Sequence, residues 1–382
     1  MSITARASLP RRAAVPITVA LAAALQVMTV PSLQAQTSGD RLEVCWPPER
    51  LGSRQGEDRI QRGDRSALIE PPARTPMRAE PIPQDRRLAI RRVKLPAGLK
   101  LVALTFDLCE QPYEIAGYQG DIVDFLREHR IKATFFAGGK WMLTHTERAQ
   151  QLMADPLFEI GNHTWEHRNL RLLKGPSLWK EIERAQAAYE QVRAGLVARQ
   201  CLARDGRRPA PSPRLSLFRF PFGACNEQAL GAVGEMGLSA IQWDVSSGDP
   251  WIGQKPEMIV RSVLAGVRPG SIVLFHANGR GWHTPSALPD VVHALKRQGY
   301  GFVTVSELLQ RGEPVYSDTC YDSRPGDTDR YDRLAQRLDL AYQQWRQKVL
   351  AGSKQPKSVL VPTPVEKPAP VTDFRTEVNK EP

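Results

Sequence analysis

The chain has 382 residues, of which 52 are Lys or Arg and 41 are Asp or Glu, for a formal charge of +11 at pH 7. Hydrophobic residues make up 41% and charged residues 24%, a composition that is typical of globular proteins and excludes a wholly disordered chain. The basic residues are scattered, without a run of arginines interleaved with aromatic residues, so we expect no nucleic-acid partner.

Residues 1–36 have the pattern of a secretory signal peptide. Three arginines precede an apolar run from Ala13 to Val30, and small residues follow up to Ala35. A membrane anchor is the alternative, because the run approaches the length that spans a bilayer. Pro16 and the small residues favour cleavage, so the mature protein is expected to be exported, periplasmic or extracellular, and without a membrane span.

Three further segments flank the periodic middle of the chain. Residues 37–91 are polar and rich in Pro and Arg, which predicts a linker or an extended arm. Residues 312–352 form a C-terminal extension in which the apolar spacing predicts one helix, from Tyr331 to Leu350. Residues 353–382 are rich in Pro and are predicted to be a disordered tail.

Residues 92–311 alternate apolar strands with amphipathic helices. The predicted strands are 101–106, 132–136, 158–161, 240–243, 271–275 and 302–304, and the predicted helices are 121–129, 147–153, 177–192, 257–264 and 288–297. Ser177 is the expected N-cap of its helix. This alternation predicts an α/β fold with a parallel sheet or a (β/α) barrel, in which chemistry gathers at the C-terminal ends of the strands.

The chain contains five cysteines and no C-x-x-C spacing. Export would permit disulfides, and the odd count leaves at least one thiol unpaired. Cys201 with Cys225, and Cys45 with Cys320, are plausible pairs.

Polar side chains lie next to successive predicted strands: Asp107, His163, His167, Arg219, Asp244 and His276. Because the C-terminal ends of parallel strands meet at one edge, we expect these side chains to converge on one pocket. His163 and His167 are four residues apart, so on a helical turn both imidazoles could bind one metal ion. Each residue also has a purely structural explanation, such as a hydrogen-bonded core histidine, but together these explanations require several coincidences of placement.

Five short motifs resemble, in the same order, those of the polysaccharide deacetylases, the NodB-homology enzymes of carbohydrate esterase family 4. The motifs are TFD at 105–107, HTWEH at 163–167, RFPFG at 219–223, WDVSSGDPW at 243–251 and LFH at 274–276. The resemblance covers about residues 92–311. It implies a distorted (β/α) barrel and a metal-dependent hydrolase that removes acetyl groups, N-acetyl as the first expectation, from a polysaccharide or peptidoglycan.

The resemblance also implies roles for individual residues. His163 and His167 would hold a divalent metal, usually zinc, which polarises the acetyl carbonyl and activates water. Asp107 would act as the general base and His276 as the general acid.

Further residues would support this catalytic pair. Arg219 would orient Asp107 and keep it ionised, and Asp249 would pair with His276 and favour its charged form. Asp244 competes with Asp249 for that role, because the motif carries an extra proline at position 250. The residues expected to contact the substrate are Phe222, Trp251 and Leu274.

The first motif departs from the family pattern at one position. Leu108 stands where the family has a second Asp, which is its third metal ligand. Asp107 itself, Glu110 or water could replace that ligand. A Cys109 thiolate is a fourth and weaker option, because it favours zinc and is open to oxidation.

Two other functions remain open. A catalytically weak, glycan-binding relative that has lost the metal would account for Leu108, although such a protein has no need to keep Asp107 and His276 with their partners. A hydrolase of small-molecule amides would fit a narrow groove blocked by the insertion at 168–218.

Overall fold

The computed structural model describes residues 42, 44–63, 65–199, 201 and 211–351. The predicted signal peptide and the predicted Pro-rich tail lie outside these residues. Within the described part of the chain, no helix combines the length and apolar character needed to cross a membrane.

The core of the described residues is a parallel eight-stranded sheet that curls into a half-barrel. The described residues form twelve strands, of which β1 with β4 and β2 with β12 make two separate two-stranded sheets. They are β1 (Gln61–Arg62), β2 (Ala89–Lys94), β3 (Leu101–Leu108), β4 (Glu114–Ile115), β5 (Ala133–Ala137), β6 (Phe158–Asn162), β7 (Leu217–Phe218), β8 (Ser239–Ala240), β9 (Val245–Ser246), β10 (Ile272–His276), β11 (Gly301–Phe302) and β12 (Glu313–Ser317). The order in the sheet is β8-β7-β6-β5-β3-β10-β9, with β11 beside β3. The predicted α/β, barrel-type fold is confirmed.

Helices connect the parallel strands, as parallel pairing requires. The helices of the described residues are α1 (Pro48–Leu51), α2 (Gly120–Glu128), α3 (Gly139–Thr144), α4 (Thr146–Ala154), α5 (Pro176–Val197), α6 (Glu227–Glu235), α7 (Pro256–Gly266), α8 (Thr284–Arg297), α9 (Val305–Leu309) and α10 (Arg330–Leu350). Those that lie between strands of the main sheet are α2 to α8. The six predicted helices are all present. The four short helices α1, α3, α6 and α9 were not predicted, because their apolar faces are too brief to show a period.

The central strand β3 aligns the polar strand ends at one edge. Its sequence is almost wholly apolar because a strand of a covered parallel sheet is buried on both faces. In the register of β3 with β10, Asp107 lies opposite His276. The next strands bring Asn162, the residue before His163, to the same edge.

The residues N-terminal to the barrel pack against it. Leu42 and Trp46 are buried in the main hydrophobic core. The Arg148 guanidinium forms an ion pair with Glu57 at 2.7 Å and donates to three backbone carbonyls of residues 50–52. Strand β2, just before β3, pairs with β12, which follows the last strand of the main sheet, in an antiparallel ribbon.

Two disulfides join Cys45 to Cys201 and Cys225 to Cys320. Both predicted pairings are therefore wrong. The fold brings the N-terminal segment to the end of α5, and the segment after β12 to the RFPFG loop, and sequence spacing does not reveal either approach. Cys109 is the unpaired cysteine and is buried.

Two local predictions also fail. Helix α5 begins at Pro176 after Gly175, which has a φ of 51°, and the Ser177 hydroxyl donates to the Lys174 carbonyl instead of capping the helix. Strand β8 ends at Ala240, whereas the apolar run predicted a strand to 243. The following residue, Ile241, makes only an isolated bridge, to Ile90 of β2.

Candidate active site

Asp107 and Arg219 form a buried ion pair at the centre of the strand edge. Asp107 is the penultimate residue of β3 and is 4% exposed, and Arg219 follows β7 and is 0% exposed. The Nη1 of Arg219 donates to Oδ1 of Asp107 at 2.9 Å, and the guanidinium lies 4.0 Å over the ring of Phe136. Burial lowers the pKa of Arg219, and the carboxylate of Asp107 opposes this shift. Each charge is thus buried together with its counter-charge, which avoids the cost of an isolated buried charge.

His163 is held with one ring nitrogen free. Its Nδ1 lies 2.9 Å from the carbonyl oxygen of Arg219, which can only accept, so Nδ1 carries the hydrogen. Its Nε2 lies 3.4 Å from Oδ2 of Asp107 and is buried without a hydrogen-bond partner. Burial lowers the pKa of His163. The Nε2 lone pair is therefore available to a ligand.

His167 reaches the same place from a loop. Thr164 and His167 have φ angles of 68° and 59°, so the predicted helical turn is wrong. The Thr164 hydroxyl accepts from the backbone N–H of His167 and fixes the turn. The rings of His163 and His167 are nevertheless 5.0 Å apart. The Nδ1 of His167 is buried without a partner, and burial lowers the pKa of this imidazole well below its ordinary value.

Cys109 completes a cluster with the two histidines. Its Sγ and one ring nitrogen from each of His163 and His167 all lie within 4.8 Å of one another. Successive residues of a strand point to opposite faces, so Cys109 lies on the face of Asp107, whereas Leu108 packs into the main core. Cys109, which the sequence ranked lowest among the possible third metal ligands, is the residue that lies at the histidine pair.

The surroundings of Cys109 also orient it. The side-chain amide of Asn278 donates to the Cys109 carbonyl at 2.8 Å and to its Sγ at 3.2 Å. Burial raises the pKa of the thiol, and the nearby charge of Arg280 opposes that shift.

Glu110 is not one of the three residues of this cluster, and its role as a metal ligand stays a prediction. Its Oε1 accepts from the backbone N–H of Ala116 and from the hydroxyl of Thr144. The side chain therefore fixes the loop after β3.

Four polar atoms around the cluster are buried without hydrogen-bond partners: Nε2 of His163, Nδ1 of His167, Oδ1 of Asn278 and Nη1 of Arg280. Nη1 of Arg280 can only donate, so a cation could not satisfy it, whereas each of the two imidazole nitrogens can offer a lone pair to a cation. An unsatisfied buried polar group costs about 1–3 kcal/mol, so the two ring nitrogens together indicate that an occupant completes them. One sulfur and two imidazole nitrogens are a donor set that suits zinc. The residues present therefore fit a divalent metal.

Asp249 and His276 form a second pair at the strand edge. The Nδ1 of His276 lies 2.8 Å from Oδ1 of Asp249, whose Oδ2 accepts from the His276 backbone N–H and from the hydroxyl of Thr284. Burial would lower the pKa of His276, but the carboxylate of Asp249 outweighs it and raises this pKa. Asp244 lies elsewhere, where it accepts from Ser271 and from a backbone N–H.

The comparisons with known proteins agree with this geometry. A family model for polysaccharide deacetylases matches residues 94–202. A chitooligosaccharide deacetylase of Bradyrhizobium is 30% identical over 225 residues, which are 56% of this chain and 92% of that protein. The chain belongs to the polysaccharide deacetylase family.

Two other matches show how far the likeness extends. The peptidoglycan-N-acetylglucosamine deacetylase PgdA of Listeria monocytogenes is 30% identical over 59% of this chain, which spans 42% of the length of that relative. A solved family 4 pseudoenzyme from Bacillus anthracis is 24% identical, covers 60% of this chain and 71% of its own, and has a TM-score of 0.48.

Phe222, one of the three residues predicted to contact substrate, lies beside His167 in this deacetylase fold. Its ring centroid is 4.7 Å from that of His167 and 5.9 Å from that of Tyr331. Leu274 is buried in a hydrophobic cluster, and Trp251 is partly exposed. Their contact with substrate stays a prediction.

Sequence reasoning missed two residues of the site, Asn278 and Arg280. Both follow the LFH motif by a few positions. Arg280 donates through Nη2 to both carboxylate oxygens of the buried Glu114 at 2.8 Å. The signal that was available is the polar run after His276, since a loop at the C-terminal end of a central strand lies at the site.

Proposed function

We propose that this chain is an exported, zinc-dependent deacetylase that hydrolyses N-acetyl groups of a glycan such as peptidoglycan or a chitooligosaccharide. The supporting observation is the buried cluster of Cys109, His163 and His167, with its unsatisfied atoms, beside Asp107. The printed names of the relatives support the substrate class.

Cys109, His163 and His167 would hold the metal. A bound divalent metal supplies Lewis acidity, which polarises a carbonyl and lowers the pKa of water. The low pKa values of the histidines keep both imidazoles neutral, the form that can donate a lone pair.

Asp107 would take the proton of the attacking water. Its Oδ1 is bound to Arg219, so Oδ2 is the oxygen left for the proton, and it points towards His163. The ion pair with Arg219 places a counter-charge beside this buried carboxylate. As the water oxygen bonds to the acetyl carbon, Asp107 receives its proton.

His276 would protonate the leaving amine. Its Nδ1 is committed to Asp249, so Nε2 carries the transferable proton. The raised pKa keeps the imidazole charged at a higher pH than an ordinary histidine. When the C–N bond breaks, the proton on Nε2 goes to the nitrogen, which releases a free amino sugar and acetate.

The proposed export is supported by the charged and apolar pattern of residues 1–36 and by the two disulfides. Disulfides persist in oxidising compartments and are rare in the cytosol.

The test is acetate release by the zinc-loaded full chain from penta-N-acetylchitopentaose and from acetylated peptidoglycan. We expect release by the wild type, and a loss of about 10²-fold or more in Asp107→Asn and in His276→Ala, because each removes one proton-transfer group. Binding of the glycans without acetate release would contradict the proposal and favour the glycan-binding relative. Release only from small-molecule amides would favour the third function.

A further inference from the structure

His167 and Phe222 are held in a backbone conformation that residues with side chains seldom adopt. Their φ angles are 59° and 60°, and their ring centroids are 4.7 Å apart. A left-handed conformation of this kind persists only where the surrounding structure fixes it. The contacts of the two motif loops therefore determine whether the His167 ring keeps its place in the cluster.

The loop that follows the HTWEH motif is bound to the first half of α10. Arg168 donates to both carboxylate oxygens of Asp339, at 3.1 Å and 2.7 Å. Asp332 accepts from Asn169 at 2.8 Å and from Arg171 at 2.7 Å. Because seven residues make about two helical turns, both aspartates lie on the face of α10 that meets this loop.

The start of α10 also supports the loop of the RFPFG motif. The ring centroid of Tyr331, in the first turn of the helix, is 5.9 Å from that of Phe222. The disulfide between Cys225 and Cys320 joins the segment before the helix to the residues just after this motif. The helix and the segment before it therefore contact both of the loops that meet at the His167 ring.

The second half of α10 has its own anchor, which does not involve either loop. Trp345 and Val349 are buried in a hydrophobic cluster with Ala67 and Tyr113. The position of the helix is therefore fixed independently of the motif loops, and the helix can act as a support for them.

We propose that Asp339 and Asp332 are positioning residues of the metal site, which hold the His167 imidazole beside the other two residues of the cluster by binding the loop after it. A ligand that is already in place loses less conformational freedom when the metal binds, so this support raises the affinity for zinc. The inference rests on the metal site of the proposed function. It assigns a role to a helix outside residues 94–202, which the family model matches.

The first test compares Asp339→Ala with Glu147→Ala in the full chain. Glu147 is a matched control, an acidic residue of α4 whose side chain is 20% exposed against 31% for Asp339, and it forms ion pairs with Arg50 and Arg54 of the N-terminal segment. The Kd for zinc is measured by competition with a chelator. We expect Asp339→Ala to raise this Kd by about tenfold and Glu147→Ala to match the wild type.

The second test asks whether Asp339 acts through Arg168. If it does, the Arg168→Ala/Asp339→Ala double variant has the same Kd for zinc as Arg168→Ala alone. Fold-changes that multiply in the double variant would contradict this link, because the two side chains would then act independently.

A spectroscopic measurement separates positioning from a general loss of stability. The d–d absorption of Co²⁺ bound in place of zinc reports the geometry of the ligands. We expect an altered spectrum in Asp339→Ala and the wild-type spectrum in Glu147→Ala, whereas a merely structural role would lower the melting temperature and leave the spectrum unchanged. If Asp339→Ala does not fold, Asp339→Asn takes its place, since it keeps the shape of the side chain and weakens only the charge-assisted hydrogen bonds to Arg168.

Folded Asp339→Ala and Glu147→Ala variants with the same Kd for zinc would overturn the inference. A wild type that binds no zinc would overturn it together with the metal dependence of the proposed function. Weaker zinc binding in Asp339→Ala, with no acetate release by the zinc-loaded wild type, would leave the inference standing and count against the proposed function. The two failures are therefore distinguishable.

Discussion

The two halves of the site differ in how far the protein completes them. In the half formed by Asp249 and His276, both carboxylate oxygens of Asp249 accept hydrogen bonds, and three donors come from His276 and Thr284. In the half formed by Cys109, His163 and His167, each histidine has a buried ring nitrogen without a partner. The chain alone supplies the hydrogen bonds of the Asp249 and His276 pair, whereas the unpaired ring nitrogens of the cluster need an occupant as their partner.

The two halves of the site therefore differ in what the fold provides: a shifted pKa in one, and unpaired lone pairs in the other. The carboxylate of Asp249 raises the pKa of His276, the proposed proton donor, through fixed hydrogen bonds. The cluster instead keeps lone pairs unused, at a cost to the stability of the protein without its metal. Variants of the cluster should therefore respond to added metal, and variants of the Asp249 pair should respond to pH.

The largest effect is expected from His163→Ala/His167→Ala. Loss of both imidazoles should abolish metal binding and lower acetate release by about 10⁴-fold, because several kcal/mol of transition-state stabilisation leave with the metal. Metal content by mass spectrometry and the rate of acetate release are the measurements. The control is His129→Ala/His293→Ala, a histidine pair away from the cluster whose rings lie 5.6 Å apart. An equal loss in both variants would contradict the assignment.

Arg219→Met should produce the largest loss of stability. It leaves the buried carboxylate of Asp107 without its partner, which lowers the free energy of unfolding by about 3–5 kcal/mol. Urea unfolding measures this loss. The control is Arg268→Ala, because Arg268 is exposed in its pair with Asp244 and its removal should cost less than about 1 kcal/mol. Equal losses would mean that the buried ion pair contributes no more to the free energy of unfolding than the exposed one.

Asp249→Asn should change both the rate and its pH dependence. Acetate release should fall by about 10²-fold, since the general acid is no longer charged and oriented. The Asp249 carboxylate raises the pKa of His276, so its removal lowers that pKa and moves the alkaline limb of the rate profile to lower pH. Asp244→Asn should leave the limb in place. An unmoved limb in Asp249→Asn would show that His276 is not the acid.

Cys109→Ala should have the smallest effect on activity under excess zinc. The affinity for zinc should fall by about 100-fold, because one donor is lost, while acetate release recovers as zinc is added. Cys109→Asp restores an anionic ligand and should regain part of the affinity. Titration with a zinc chelator measures both. A Cys109→Ala variant with wild-type affinity would exclude the thiolate as a ligand.

Much of the site could be predicted from single residues and their order. Strands β3 and β10 are apolar runs with a charged or polar residue near the C-terminal end, so Asp107 and His276 could be placed at one edge of the sheet. The buried face of α5 likewise shows in its helical spacing. These features are local, and a short stretch of sequence determines them.

The remaining features depend on the path of the chain. Both disulfides join segments about 100 residues or more apart, with sequence separations of 156 and 95. The loop that carries His167 is fixed by two residues in the left-handed region, which the four-residue spacing cannot show. The hydrogen bonds that α10 forms with the loop after His167, from Arg168 to Asp339 and from Asn169 to Asp332, also join residues far apart in the chain.

Cys109 is a different case, because its signal was present in the sequence. The two-residue period of a strand puts Cys109 on the face of Asp107 and Leu108 on the opposite face. The substitution at position 108 draws the eye to Leu108 itself, although the two-residue period directs the search to position 109. The general lesson is that a lost ligand should be sought one residue along, on the face that points at the site.

The most direct test of the account is zinc X-ray absorption spectroscopy on the loaded full chain, for the wild type and for Cys109→Ala. The account predicts about one equivalent of zinc in the wild type, with one sulfur at about 2.3 Å and two imidazole nitrogens at about 2.0–2.1 Å. The sulfur should disappear in Cys109→Ala. A wild type that binds no zinc, or whose zinc has only nitrogen and oxygen neighbours, would contradict it.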